Sequence, residues 1–299
     1  MDFIAVFARA LPGAVAQGMS WGIMALGVYI TFRILNTSDL TVDGSLATGG
    51  AVCIMLIKAG VPAAAAVLIA ALVGGIAGLC TALLHTKCGI PAILSGILTQ
   101  LALYSVNLRI MGGKANQPVS VDKYNLVISQ RYVRELSLSN PIIILLIIIA
   151  AIIMILYWFF GTEFGSGVRA TGNNINMARA QGINTDNNII FGFCLSNAMV
   201  AMSGALIAQY QGASDVNMGR GAIVIGLAAV IIGEVVFGKL FRNFGLRMLA
   251  VVIGAIIYYM VLQLVLTMGL NTNDLKLISA LIVAVFLAIP YFKGGAKHA

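Results

Sequence analysis

Glu163-Phe164-Gly165-Ser166-Gly167-Val168-Arg169-Ala170-Thr171-Gly172-Asn173-Asn174-Ile175-Asn176-Met177-Ala178-Arg179-Ala180-Gln181-Gly182-Ile183-Asn184 is a polar island in an otherwise apolar chain. Hydrophobic residues dominate on both sides, so this helix-prone, weakly basic stretch has to sit in water at a membrane face, where a partner protein can reach it. It reads as a docking element. Gly172 and Asn173-Asn174 suit a helix start, Ile175, Met177 and Ala178 give that helix an apolar side, and Gly182 suits its end. A helix of two turns is marginal alone and needs a surface to pack on. The competing reading is a solvated connector.

Composition sets the class outside the island. Of 299 residues 60% are hydrophobic and 9% charged, and the mean hydropathy is +1.00. Several runs approach or exceed the roughly 20 apolar residues that span a bilayer. The fold class is therefore an all-α polytopic membrane protein. A net charge of +8 points to nucleic acid in a soluble domain, but here Lys and Arg gather in short loops, as expected of cytoplasmic loops, so no nucleic-acid partner is expected. The N-terminus lacks the pattern of a cleaved signal, so no removal is expected. Cys53, Cys80, Cys88 and Cys194 lie in or beside apolar runs without zinc spacing and read as ordinary small membrane residues.

Apolar runs stand at Leu11 to Leu35, Leu46 to Ile57, Pro62 to Leu84, Ile90 to Ile110, Pro141 to Phe160, Ile189 to Ala208, Ala222 to Gly238, Leu246 to Leu266 and Leu277 to Phe292, which makes about nine crossings. With the C-terminal Lys293, Lys297 and His298 in the cytoplasm, alternation also places Lys239, Arg242, Arg247, Arg169, Arg179, His85, Lys87 and Arg33 inside, with the N-terminus out. The longest loop, Met111 to Asn140, then faces outward and has room for a short surface helix.

Two runs are short or broken. Leu46 to Ile57 gives roughly 18 Å of helix against a hydrocarbon core of roughly 30 Å, and Ala222 to Gly238 is interrupted by Gly226, Gly233 and Glu234. Such segments have to be buried in the bundle or line a cavity. Their upstream sequences are alike: Ser38-Asp39-Leu40 precedes Gly44-Ser45-Leu46, and Ser214-Asp215-Val216 precedes Gly221-Ala222-Ile223. In the orientation above, the first copy begins at the inner face and the second at the outer. That predicts an inverted-topology repeat, with halves at about 11–113 and 188–292 in one transmembrane domain of 1–299 and a cytoplasmic segment at 161–187. The competing reading is chance recurrence in a Gly- and Ala-rich chain.

Broken helices expose backbone groups at mid-membrane, where transporters bind polar solutes. Asp39, Ser45, Thr48, Gln100, Asn107, Asn197, Gln209, Asp215 and Gln263 are the candidate path-lining side chains, with Gly226 lining the path through its backbone. A Ser, Thr or Asn serves equally as an interhelical hydrogen-bonding group. Asp39 and Asp215 fit helix N-caps better than path residues. Glu234 is the most deeply placed carboxylate by sequence, and Lys239 or Arg242 lies close enough along the chain to pair with it. Lys58 and Arg109 sit near span ends and can snorkel. The chain carries no catalytic constellation, no metal-ligand cluster and no phosphate-binding loop, which argues against an enzyme and against ATP hydrolysis by this chain.

Val168-Arg169-Ala170-Thr171-Gly172-Asn173-Asn174, followed by Ala178-Arg179-Ala180 and Gly182-Ile183-Asn184, resembles the cytoplasmic signature of permease subunits of ABC importers for branched-chain amino acids, ribose and related solutes. Asp39-Leu40-Thr41-Val42-Asp43-Gly44-Ser45 is similar to the Asp-Leu-Ser-Val-Gly-Ser of sugar-type members, with Asp43 inserted before the glycine. The resemblance runs from about Ala14 to Phe292 and is strongest to permeases that accompany tryptophan- or tyrosine-type binding proteins. A departure is Gly233-Glu234-Val235-Val236-Phe237-Gly238-Lys239, where many relatives have a Gly-Gly-rich stretch.

The resemblance implies a permease in the bacterial inner membrane, paired with a second copy or a related permease. It also implies two cytoplasmic ATPase subunits that hold ATP and Mg, an external substrate-binding protein, and no cofactor on this chain. Coupling to the ATPase would run through Arg169, Gly172, Asn173, Asn174, Met177, Ala178, Arg179 and Gly182. The expected function is import of a small polar solute, an amino acid first and an aromatic one among them. The rivals are an ABC permease for sugars or nucleosides, a self-sufficient secondary transporter or channel, and a membrane scaffold.

Overall fold

The computed structural model describes residues 3–133, 140–238, 240–241, 243–268 and 275–293. They form an all-α bundle, and the strands in it are confined to one short pair. Helix α1 (Phe3–Tyr29) continues into a π-helical turn at Ile30–Ile34 that Asn36 closes at φ 53. Helices α2 (Val42–Lys58), α3 (Ala63–Thr86) and α4 (Ala92–Ile110) follow, the last two opening just after Pro62 and Pro91, where a proline ring is tolerated. Strand β1 (Asn116–Pro118) and a 3₁₀ turn (Gln130–Tyr132) occupy the long loop, in which the sequence left room for a surface helix. Then come α5 (Pro141–Gly161), α6 (Glu163–Asn173), α7 (Ile175–Ala180), α8 (Thr185–Gln211), β2 (Ala213–Asp215), α9 (Ala222–Phe237), α10 (Phe244–Thr267) and α11 (Leu275–Lys293). Strands β1 and β2 pair antiparallel, with Gln117 opposite Ser214.

Six helical stretches among the described residues are long and apolar enough to cross a membrane: Val6–Ile34, Ala63–Thr86, Ala92–Ile110, Pro141–Gly161, Thr185–Gln211 and Phe244–Thr267. The sequence count of about nine crossings also takes in α2 and α9, of 17 and 16 residues, and α11. Of the C-terminal groups used to orient the chain, Lys297 and His298 lie outside the described residues, as do Lys239 and Arg242.

Helix α8 is the central post, packed by α1, α2 and α3. It runs antiparallel to α1: Ser196, Ser203 and Tyr210 hydroxyls donate to the carbonyls of Gly27, Ser20 and Gly13 in turn. Close approach of α2 needs glycine on both sides. A methyl group on Gly49 would overlap the Ala201 carbonyl, and one on Gly204 would overlap that of Leu46. Small residues at helix contacts give membrane bundles their packing energy, since lipid supplies no hydrophobic drive between helices. The outer surfaces of α3, α4 and α5 instead carry exposed Leu72, Leu101, Ile147, Met154 and Trp158, as a lipid-facing wall does.

Helix α6 lies at one end of the bundle, hereafter the α6 face. It is placed there by Gly172, which packs directly on the carbonyl of Ile34 at the end of α1. Local capping decides the shape of the polar island. The Thr162 hydroxyl accepts from Gly165 N–H (3.2 Å), Asn174 from Met177 N–H (3.0 Å) and Asn184 from Asn187 N–H (3.2 Å), so three helices start in quick succession. Gly182 supplies the left-handed residue (φ 78) after α7.

Candidate functional site: a crossing of two half-helices

The chain turns back at the end of α1 and enters the bundle from the α6 face. Asp39 then accepts from the Thr41 N–H (2.8 Å) and from Asn197 Nδ2 on α8 (2.6 Å), and the Asn197 amide oxygen accepts from the Ser45 hydroxyl (2.6 Å). The Thr41 and Thr81 hydroxyls meet at 2.7 Å. This network fixes the start of α2 on α8 and α3. From there α2 runs toward the opposite face, where Lys58 Nζ donates to Gln117 on β1.

The second half-helix mirrors this. After α8, the segment 212–221 comes in from the opposite face, and Asp215 accepts from the Asn217 N–H (2.7 Å), the same turn that Asp39 makes. Helix α9 then runs toward the α6 face and ends where Glu234 pairs with Arg33 Nε at 2.8 Å.

The two half-helices begin at one place. The Asp43 carboxylate, in the first turn of α2, accepts from Gly221 N–H (2.9 Å) and Ile223 N–H (3.0 Å), the free donors at the start of α9. A carboxylate there also meets the positive end of the α9 dipole. Gly219 is pressed against the Asp43 carbonyl so closely that a methyl group would overlap it. At 1.5 Å per residue, the crossing stands about 18 Å from Glu234 and about 22 Å from Lys58, near mid-depth of the bundle. Ser38, Asn217, Arg220 and Gly221 are exposed around it and Asp43 is half-buried. The Arg220 guanidinium makes no hydrogen bond or ion pair among the described residues.

The candidate residues do not converge on one open cavity. Asp39, Ser45 and Asn197 come together but are fully enclosed. Thr48 is buried and bonds the Gly44 carbonyl of its own helix (2.9 Å). Gln209 is buried at the far end of α8, accepting from the Val127 N–H (2.8 Å). Asn107 is buried with its amide oxygen unpaired among the described residues. Gln100 is half-buried on α4 beside Gly44, Gly226 packs on Met24 and Val28 of α1, and Gln263 borders a separate cavity with Gly13 and Tyr210. The N-cap reading of the two aspartates needs correction. Thr41 and Gly221 occupy the cap positions, and Asp39 and Asp215 brace the turns leading to them. Asp43 and Arg220 were missed; the signal available was the inserted acidic residue and a lone arginine heading the second short run.

On the α6 face, Gly172 and Asn173 lie inside α6, whereas the sequence placed them at a helix start; Asn174 alone caps α7. The expected apolar side of α7 is split. Met177 is 64% exposed and Ile175 is exposed, while Ala178 is 2% exposed and faces the bundle. Arg179 is tied to Thr185 (2.8 Å) and Asp186 (3.2 Å), and Asn188 on α8 donates to Thr171 (2.9 Å). Arg169 lies over the Phe244 ring at 5.1 Å. Glu234 is paired with Arg33, 201 positions away, while the partners expected for it, Lys239 and Arg242, lie outside the described residues.

No solved structure matches the chain. It is 38% identical to a tyrosine transport system permease protein of Clostridioides difficile over 272 residues, 91% of this chain and 88% of that protein. It is 32% identical over 267 residues to an uncharacterized protein of Rickettsia prowazekii (89% and 92%), and 31% identical over 220 residues to an autoinducer 2 import system permease protein of Yersinia pestis (71% and 58%). The model for the permease component of branched-chain amino acid transport systems matches residues 11–290. With its apolar spans, crossing half-helices and docked polar island, the chain belongs to that family of ABC transport permeases and is a multi-pass membrane protein.

Proposed function

We propose that the chain is the membrane-spanning permease of an ATP-driven importer for an amino acid, aromatic ones foremost. It works as two copies, with ATPase subunits on the α6 face and a substrate-binding protein on the opposite face. The two halves flanking α5 form an inverted repeat, and the crossing of α2 and α9 borders the solute path. The carrying observation is Arg220 with Asp43 at mid-depth on an accessible surface. An ionised side chain facing lipid at that depth costs several kcal/mol, so this surface belongs against water or a second copy. A scaffold has no use for it. The aromatic amino acid rests on the 38% identity to the tyrosine permease. The α6 face is assigned to the cytoplasm because Arg33, Arg169, Arg179, Arg247, His85 and Lys87 gather there. Exposed Met177 and Ile175 are the contact offered to the ATPase.

The test is reconstitution in vesicles with the ATPase and binding protein that copurify with the chain. ATP-dependent uptake of labelled tyrosine or tryptophan is expected. Uptake driven by an ion gradient without ATP would overturn the importer reading. ATP-driven uptake of autoinducer 2 alone would leave the importer and overturn the amino acid, an alternative motivated by the relative from Yersinia pestis. Orientation is read by cysteines placed at Asn173 and at Ser120 in a cysteine-free background, which should label from opposite sides.

A further inference from the structure

A cavity of about 840 Å³ opens at the α6 face between the end of α1, α6 and the start of α10. Three guanidinium groups from these three elements line it, Arg33, Arg169 and Arg247, with Asn36, Ser166 and Asn173 as neutral polar groups. Glu234, which neutralises Arg33, lies in the adjoining recess, so the described residues leave a surplus of two positive charges. Arg247 makes no hydrogen bond or ion pair among them. A second hollow of about 470 Å³ adjoins the cavity, sharing Arg169 and Phe244 and bounded by Tyr157, Trp158 and Phe160 at the end of α5. Trp158 is 72% exposed there, on the same lipid-facing wall as Met154 and Ile155.

We propose that this paired recess seats one anionic phospholipid, its phosphate among Arg33, Arg169 and Arg247 and its acyl chains descending along α5 past Trp158. Basic pockets at membrane interfaces attract acidic headgroups, and tryptophan and tyrosine sit at headgroup level. The aromatic hollow decides against two other anions. An acidic side chain of a docked ATPase has no means of following α5 into the bilayer, and free phosphate leaves the apolar hollow unexplained.

Permease purified intact from membranes containing phosphatidylglycerol and phosphatidylethanolamine is washed in detergent, and its retained lipid is quantified by mass spectrometry. Retained phosphatidylglycerol should exceed its bulk ratio by roughly thirtyfold, as two surplus arginines imply. The Arg169→Gln/Arg247→Gln variant should fall close to the bulk ratio. Arg169→Lys/Arg247→Lys should keep most of the enrichment, and Arg109→Gln, in the last turn of α4 and outside both recesses, should keep all of it. Where the double glutamine variant does not survive purification, Arg247→Gln alone should show partial loss at an unchanged elution volume. Unchanged enrichment in a folded glutamine variant overturns the proposal. So does displacement of the lipid by millimolar inorganic phosphate, or protection of the arginines from phenylglyoxal only when the ATPase is bound.

Discussion

Replacing Asp43 by alanine removes both acceptors at the start of α9 and leaves the Gly221 and Ile223 N–H groups without partners in a half-buried site. A hydrogen bond to a charged group contributes about 1.5–3 kcal/mol. Taking the lower figure because Asp43 is partly accessible gives about 3 kcal/mol for the pair. Asp43→Asn keeps one acceptor oxygen and loses the charge, and should cost about half as much. At about 2–4 °C per kcal/mol for a chain of this size class, Asp43→Ala lowers the melting temperature of the purified permease by about 6–12 °C and Asp43→Asn by about 3–6 °C. The control is Asp215→Ala. It removes a similar acceptor from an Asn217 N–H that water can reach, and should cost under about 1 kcal/mol. Thermal unfolding followed by tryptophan fluorescence or a thiol dye reads all three. An Asp43→Ala shift no larger than that of Asp215→Ala would refute the account of α9 as capped from α2, and the idea that the two half-helices begin as one unit would go with it.

Valine at Gly204 should abolish assembly, because its side chain meets the backbone of α2, whereas Ile147→Ala on the lipid-facing side of α5 should leave yield and elution unchanged. Met177→Asp should uncouple ATPase activity from uptake in a permease that still folds, while Ala178→Asp should lower folded yield by burying a charge, at a cost of several kcal/mol; pull-down with the ATPase and size-exclusion chromatography separate the two outcomes. Glu234→Gln should change the melting temperature little, because the pair with Arg33 is substantially exposed and such pairs contribute about 0–1 kcal/mol. A large loss there would mean that the pair is enclosed in the assembled transporter.

Features set by neighbours along the chain were legible in the sequence. The class follows from composition, and within the polar island Asn174 as a helix start and Gly182 as its end were readable, because each bonds or bends within a few residues of itself. The two short helices and their shared Ser-Asp prelude were also visible. What pairs across the fold was not. Asp43 meets α9 from 178 positions away and Arg33 meets Glu234 from 201; nothing local marks either partner. Met177 and Ala178 adjoin in sequence, yet one is exposed and the other buried, because in a helix of six residues the inward side is set by what it docks on. Asn197 and Ser45 looked like residues facing a solute. The structure puts them inside, satisfying each other and Asp39, as buried polar groups must be.

Helix α8 has a consequence for communication. At one end it holds α7 through Arg179, Thr185 and Asp186, and at the other its Gln209 grips the Val127 amide while the strand that follows it pairs with β1. An α-helix of 27 residues is about 40 Å long and stiff along its axis. The surfaces on the two sides of the membrane are thus fittings on a single strut. A displacement imposed on α7 reaches the far loop without a relay of intermediate contacts, and a load on that loop returns to α7 by the same member.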